Sequence, residues 1–212
     1  MNRGIRDPTK KISLYDTLKN SYDTRDNQKS KFKNQGYVYD SDLSNHNQQV
    51  YYSPSQKKLL YTVTGTHNLL SDLGTDIYGV LGGNLKNTNR YKEAQNTLNK
   101  AKQKYKPNET TITAHSLGGT IAQYISGKND KVLTLDKGAT FFQKSRPNEQ
   151  AFRSSGDLVS LLNANSKNMT TLKNPSTKLS RTPYTFFSPT AQIYDAYNAH
   201  NVDNIKNEKI FV

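Results

Sequence analysis

Ser116 lies in the run Thr110-Thr-Ile-Thr-Ala-His-Ser-Leu-Gly-Gly119, a short β-branched stretch that passes into small residues and then into the apolar segment Thr120 to Ile125. Its spacing is small-x-Ser-x-Gly, with Ala114 two positions before the serine and Gly118 two after. The β-branched residues favour a strand and the apolar segment favours a helix, so the serine falls on a sharp strand-to-helix turn. Side chains two residues away would collide on such a turn, which is why Gly or Ala stands there. The turn holds the hydroxyl out of the sheet and leaves the amide of Leu117 at a helix N-terminus, where it can stabilise a developing oxyanion. Ser116 therefore reads as a nucleophile. The plainer alternative is a glycine-rich turn with an incidental serine.

A serine hydroxyl attacks poorly unless a base takes its proton, and the base needs an acid to fix its tautomer and stabilise the imidazolium. Sites built on an elbow of this kind supply them in the chain order serine, acid, histidine. The chain has four histidines, His46, His67, His115 and His200. Only His200 follows Ser116, and the order selects it. His115 abuts the nucleophile, and its side chain must point away from the hydroxyl. The acid must come from Asp130, Asp136, Glu149, Asp157 or Asp195. Asp130 falls in the turn after the helix, at the wrong end of a sheet, and Asp195 is too near His200 in sequence to come from another strand end. Asp136 and Asp157 both follow expected strands. Asp157 is favoured because Gly156 turns the chain there and Leu158-Val159 would anchor it beneath the surface; Asp136 is the fallback. A second oxyanion donor is expected from the loop after the central strand, where Thr66 follows Thr64-Gly65. The plain reading of that tripeptide is an ordinary strand-end turn.

The elements that must hold these residues can be read from periodicity. Residues 1 to 34 form a polar extension in which Ile12, Tyr15, Leu18 and Tyr22 recur at helical spacing, predicting an amphipathic helix packed on the body. Asp16, Asp23 and Asp26 near it lack the glycine and terminal glutamate of a calcium loop and read as a solvated face. Three strands in an antiparallel meander are expected at Gly36 to Asp40, Gln49 to Ser53 and Lys58 to Thr64, the third central. His67 to Asn89 reads as an amphipathic helix broken at Gly82-Gly83. Arg90 to Lys106 reads as a helix with Tyr91, Ala94, Leu98, Ala101 and Tyr105 on its apolar stripe, stopped by Pro107. Strands Lys131 to Leu135 and Ala151 to Ser155 follow the elbow helix. This alternation predicts crossover connections and a largely parallel sheet. Residues 163 to 192, rich in Asn, Ser, Thr and Pro, read as a long loop.

The 212 residues are enough for one domain with a substantial core. Hydrophobic residues make up only 33% of the chain, but apolar-rich stretches recur from residue 59 onward, which indicates a globular chain. With no cysteine, neither disulfides nor a thiolate metal site can form. The N-terminal Met-Asn-Arg-Gly-Ile-Arg-Asp has no apolar core of a secretion signal and no run reaches transmembrane length, so an intracellular or virion-associated location is expected. The net charge of +13 favours anionic partners such as nucleic acid, acidic lipid or another polyanion, although the lysines follow no nucleic-acid-binding motif. An AT-rich genome would also produce such an excess of Lys, Asn and Tyr.

Taken in order, Gly36-Tyr-Val-Tyr, Val63-Thr-Gly-Thr66, Ser71-Asp-Leu-Gly-Thr-Asp76, Ala114-His-Ser-Leu-Gly-Gly119, Phe152-Arg-Ser-Ser-Gly-Asp-Leu-Val159 and Ala199-His-Asn-Val-Asp-Asn204 resemble the class 3 (fungal-type) lipases of the α/β-hydrolase superfamily. The resemblance spans about residues 36 to 205. It implies an α/β-hydrolase-like three-layer sandwich with a mostly parallel central sheet and an N-terminal antiparallel meander. It also implies a triad of Ser116, Asp157 and His200, an oxyanion hole at Thr66 and Leu117, an acyl-enzyme, and a lid within His67 to Asn89. The substrate it implies is a lipid ester, acylglycerol or phospholipid, met at a membrane or lipid surface, with no cofactor and no metal. Two departures stand out: Ala114 replaces the family's usual glycine, and Thr64-Gly65 replaces its Arg-Gly. The competing expectation is a non-catalytic protein of the same fold that binds an anionic surface, for instance as a component of a virus particle.

Overall fold

Among the described residues, seven strands pair in the order in which the chain makes them. The computed structural model describes residues 11–66, 85–138, 146–157, 159–160, 167–173 and 198–212. Strands β1 (Val38–Tyr39), β2 (Gln48–Ser53) and β3 (Lys58–Val63) form an antiparallel meander. From β3 onward the pairing is parallel, through β4 (Glu109–His115), β5 (Lys131–Leu135), β6 (Glu149–Ser154) and β7 (Met169–Leu172). Parallel neighbours need long crossovers, and the two described crossover helices, Asn89–Tyr105 and Leu117–Ile125, pack together on one face of the sheet.

Four α-helices are described: α1 (Leu14–Ser21), α2 (Arg25–Ser30), α3 (Asn89–Tyr105) and α4 (Leu117–Ile125). Ser13 caps α1 by accepting the amide of Asp16 at 3.0 Å, and Thr88 caps α3 by accepting that of Tyr91 at 3.2 Å. Helix α3 ends at Lys106, in the left-handed region with φ 44°, just before Pro107. The expected stripe faces inward: Tyr91, Ala94, Leu98 and Ala101 are buried and Tyr105 is half-buried.

The strand pleat sorts the core into two layers. Tyr61, Val63, Ile112, Ala114 and Val132 point to one face and pack with α3 and α4. Leu133 and Leu135, alternating with Val132, point to the other and pack with Leu14 and Leu18 of α1 and with Val202 and Ile205 of a 3₁₀ helix (Val202–Ile205). The product is a three-layer α/β sandwich with a mostly parallel sheet and an antiparallel meander at its N-terminal edge. The chain ends brace α1: Ile210 O accepts from the Leu14 amide at 2.8 Å and the Val212 amide donates to Ile12 O at 3.0 Å.

One expectation is corrected. The segment 163–192, read as loop, contains β7, which pairs in parallel with β6 from Ala151↔Met169 to Ser154↔Leu172. Met169–Leu172 is short, threonine-rich, exposed or half-exposed, and paired with β6 at the end of the strand order, so it carries no buried alternation to betray it. The helix and lid expected in His67 to Asn89 fall on residues outside the described ones, save the 3₁₀ turn Leu85–Asn87, Thr88 and the first residue of α3. No helix among the described residues is long and apolar enough to cross a membrane.

Candidate active site

The elbow forms because two backbones come very close. Gly118, in the first turn of α4, passes the end of β3; a Cβ there would sit 2.3 Å from Val63 O and 2.5 Å from Thr64 O. That approach forces the residue between β4 and α4 into a sharp turn. Ser116 occupies it at φ 54°, ψ −127°, a left-handed backbone that costs an L-residue energy and is kept where a site needs it. The Ser116 amide donates to Leu135 O at 3.0 Å, and its carbonyl accepts from Gly119 N at 2.9 Å, so the turn is tied to both β5 and α4. Ala114, in place of glycine, packs its methyl in the core and is fully buried.

The favoured acid and the selected histidine meet. His200 Nδ1 lies 2.8 Å from Asp157 Oδ1, although 43 residues separate them in the chain. Asp157 follows β6 by three residues and is completely buried. Its carboxylate accepts the amide of Val159 at 3.1 Å on Oδ1, and the amide and hydroxyl of Ser160 on Oδ2. Arg153 braces the same turn, its Nη2 donating to Asp157 O at 3.0 Å. Burial works to raise the Asp157 carboxyl, but the hydrogen bond and charge of His200, with the Ser160 donors, outweigh it and hold it below the usual carboxylate range. Burial likewise works against the His200 imidazolium, and the bond to Asp157 with the charges of Asp157 and Asp136 raises it above an ordinary histidine. His200 Nε2 is buried without a hydrogen-bond partner among the described residues, Ser116 Oγ included. Such bonds commonly tighten only when substrate arrives.

His115, next to Ser116 in the chain, packs on His200. Its ring lies 4.8 Å from that of His200, and its Nε2 is 3.1 Å from His200 O. Full burial and the neighbouring His200 lower its pKa to about 3, so the ring is neutral. A carbonyl only accepts, so Nε2 carries the proton and Nδ1 accepts from the Tyr22 hydroxyl at 2.7 Å. Tyr22 Oη in turn accepts the Gly65 amide at 2.9 Å. A continuous chain of hydrogen bonds thus runs from the Gly65 loop through Tyr22 and His115 to the backbone of His200.

Thr66, half-buried, is the residue after Gly65 on that loop. The loop is clamped from its other side by Arg90 of α3, whose Nη2 donates to Thr64 O at 2.7 Å. Thr64 is fixed further by its amide donating to Asn47 O at 2.9 Å and its hydroxyl to His46 O at 3.1 Å. Leu117, the other expected donor, opens α4, where first-turn amides have no intrahelical acceptor.

Of the remaining acids, Asp130 pairs with Lys102 at 2.7 Å and Glu149 with buried Lys137 at 2.6 Å. Asp195 lies outside the described residues. Asp136, the fallback, does not bond the histidine. Its carboxylate accepts the Ser154 amide at 2.5 Å and the Ser154 hydroxyl at 2.9 Å. Burial first, and the Asp157 charge second, push its pKa up to about 7. Tyr22, Arg90 and Ser160 were not identifiable from sequence: each acts on backbone or a carboxylate through contacts with no spacing signature, although Ser160, three residues after Asp157, fits an Asx-type turn.

His115, Asp136 and His200 are the one group of ligating side chains, among the described residues, whose donor atoms lie within 4.8 Å of one another. Both nitrogens of His115 are engaged, by Tyr22 and by the His200 carbonyl, so the group does not offer three free donors to a metal.

No family model and no curated protein sequence matches the chain. Among solved structures the chain is similar to the lipase Lip2 from Yarrowia lipolytica, at 14% identity over 74% of this chain and 76% of that one, with a TM-score of 0.48. It is also similar to a triacylglycerol lipase described as carrying a serine protease triad, at 15% identity over 70% of this chain and 72% of that one, TM-score 0.47. A third is the Rhizomucor miehei lipase in its propeptide complex, at 14% identity over 71% of this chain and 62% of that one, TM-score 0.45. At such identities a shared fold does not carry a shared substrate.

Proposed function

We propose that the chain is a serine ester hydrolase of the lipase or phospholipase type, cleaving acyl esters of lipids through an acyl-enzyme. The observation that carries this reading is the 2.8 Å contact between His200 Nδ1 and Asp157 Oδ1, which leaves Nε2 buried and unpartnered in a site that also holds the strained Ser116 elbow. With Nδ1 donating to Asp157, the tautomer places a lone pair on Nε2, the form a general base needs.

In this reading Ser116 Oγ attacks the ester carbonyl carbon while His200 Nε2 takes the hydroxyl proton. Asp157 stabilises the imidazolium. The amides of Thr66 and Leu117 bind the oxyanion of the tetrahedral intermediate, a contribution of roughly hundredfold or more per donor. The C–O bond to the alcohol breaks as His200 returns the proton to it, and the acyl group stays on Ser116. Water, deprotonated by His200, then attacks the acyl carbonyl carbon; the bond to Ser116 Oγ breaks as His200 returns the proton to Oγ, and the acid leaves. The excess of 30 Lys and Arg over 17 Asp and Glu suits an anionic lipid surface as the place where substrate is met.

Activity-based labelling tests the reading. A fluorophosphonate should modify Ser116, and Ser116→Ala and His200→Ala should abolish both labelling and hydrolysis of short- and medium-chain p-nitrophenyl esters and phospholipids. A folded protein that neither labels nor turns over any of these, beside a control lipase that does both, sinks it.

A further inference from the structure

Two carboxylates, not one, converge on His200. β5 and β6 are parallel neighbours, with Leu135 opposite Phe152, so their C-terminal ends lie side by side. Asp157 comes from the turn after β6; Asp136 is the residue that follows β5. A carboxylate oxygen of Asp136, a ring nitrogen of His200 and one of His115 all lie within 4.8 Å of one another. We propose that Asp136 is a second acid of the site: in the intact protein it positions Asp157, and it supports the histidine in place of Asp157 when that carboxylate is removed. The proposal rests on the reading of Ser116, Asp157 and His200 as the reacting groups.

Three observations favour a role beyond packing. Asp136 is fully buried and, among the described residues, has no ion-pair partner, a costly placement for a carboxyl that only fills space. Its backbone is left-handed, with φ 46°, a conformation that glycine would adopt without strain. Its two hydrogen bonds go to the amide and hydroxyl of Ser154, and Ser154 O accepts the amide of Asp157 at 3.2 Å. Asp136 therefore holds the base of the turn that presents Asp157.

The groups facing Asp136 decide its charge. Asp157 repels a second negative charge, His200 attracts one, and His115 is neutral. The flanking cations aim elsewhere: Lys137 bonds Glu149, and Arg153 bonds Ser160 and the carbonyl of Asp157. With Asp157 charged, Asp136 retains its proton near neutral pH. Neutralising Asp157 removes the repulsion, so Asp136 ionises more readily and presents a carboxylate to the imidazolium.

The test compares Asp157→Asn, Asp136→Asn, the double variant and Ser116→Ala in p-nitrophenyl butyrate hydrolysis from pH 5 to 9, with ¹H–¹⁵N NMR titration of the His200 ring and thermal melts. Asp157→Ser serves as a second background, because Asn can hydrogen-bond the imidazole in the wrong tautomer. Asp157→Asn or Asp157→Ser should keep turnover at least roughly tenfold above Ser116→Ala, and adding Asp136→Asn should bring it down to that level. In either background Asp136→Asn should also lower the His200 pKa by at least about half a unit. Equal turnover and equal His200 pKa with and without Asp136 would overturn the proposal. The NMR reading needs no substrate, so it decides the matter even if the wild-type chain fails to label and the hydrolase reading itself falls.

Discussion

The amide of Gly65 and the hydroxyl of Tyr22 are bonded at 2.9 Å across 43 residues of chain, which places the residue after α1 directly on the loop that carries Thr66. The contact is so close that a Cβ on Gly65 would lie 2.7 Å from Tyr22 Oη and 2.8 Å from Ser116 Cβ. The end of the N-terminal helix is thereby part of the candidate site: through Tyr22 it holds the Gly65 loop beside Ser116, and through His115 it also reaches the backbone of His200.

Tyr22→Phe removes that hydroxyl and leaves the Gly65 amide and His115 Nδ1 without it. Unpairing buried polar groups costs about 1–3 kcal/mol, so the melting temperature should fall. Small misplacements of catalytic groups cost rate out of proportion to their size, so kcat should fall roughly ten- to hundredfold with KM nearly unchanged. Steady-state kinetics on a soluble ester checks this. A kcat within twofold of wild type would show that Tyr22 does not set the loop.

Stability should respond to pH in opposite senses at two buried groups. His115 is neutral in the fold, with a pKa lowered to about 3 by burial, whereas in the unfolded chain it titrates near 6.5. The unfolded state therefore binds the extra proton between those values, and stability from this group falls by about 1.4 kcal/mol per unit as pH drops. Asp136, raised to about 7, does the reverse, because the folded state binds its proton and stability is lost as pH rises from about 4 toward 7. The two slopes oppose each other across pH 4–6.5. Urea unfolding should then show His115→Gln losing stability as pH rises through that window and Asp136→Asn losing it as pH falls. Parallel curves for wild type and His115→Gln would mean that His115 is protonated in the fold.

The pattern of what the sequence discloses follows from the range of the forces involved. Ser116 is legible because the elbow imposes small residues two positions away on either side, a strictly local constraint. His200 stands out as a candidate only because it is alone downstream, and Asp157 is favoured over Asp136 only by the turn at Gly156 and the apolar Leu158-Val159, since both acids follow strands and which carboxylate reaches Nδ1 is set by tertiary contacts. Strands β2 to β5 are buried almost throughout and read as runs of β-formers, and helix α3 carries a buried stripe and therefore a helical period. β7 has no such signal, and neither do the contacts of Tyr22 and Arg90 with the backbone at residues 64 and 65, which any hydroxyl or guanidinium brought there by the fold could make.

The rate should carry the signature of a raised histidine. In the proposed mechanism His200 serves as a base only when neutral, and Asp157 holds its pKa above the ordinary value near 6.5. kcat/KM for a non-ionising ester should therefore fall about tenfold per unit of pH below a midpoint lying above 6.5. A midpoint at or below 6.5, fitted from pH 5 to 9, would mean that burial outweighs Asp157 at this ring.

Gly118→Ala probes the approach that creates the elbow. Its methyl would need the space of the Val63 and Thr64 carbonyls, at 2.3 and 2.5 Å, and neither is the free end of a flexible side chain. Either α4 or the end of β3 must shift, and the end of β3 leads directly into Gly65-Thr66. The expected cost is about 1–3 kcal/mol, a drop of roughly 2–12 °C in melting temperature. The displaced loop should also lower kcat in the protein that remains folded. Gly127→Ala is the matched control: its nearest neighbour, Asp130 Oδ2, lies at 3.3 Å and has to yield by only a few tenths of an ångström, so its melting temperature should move by far less. Equal shifts for the two variants would show that α4 and β3 have room to separate, and that the strain at Ser116 has another source.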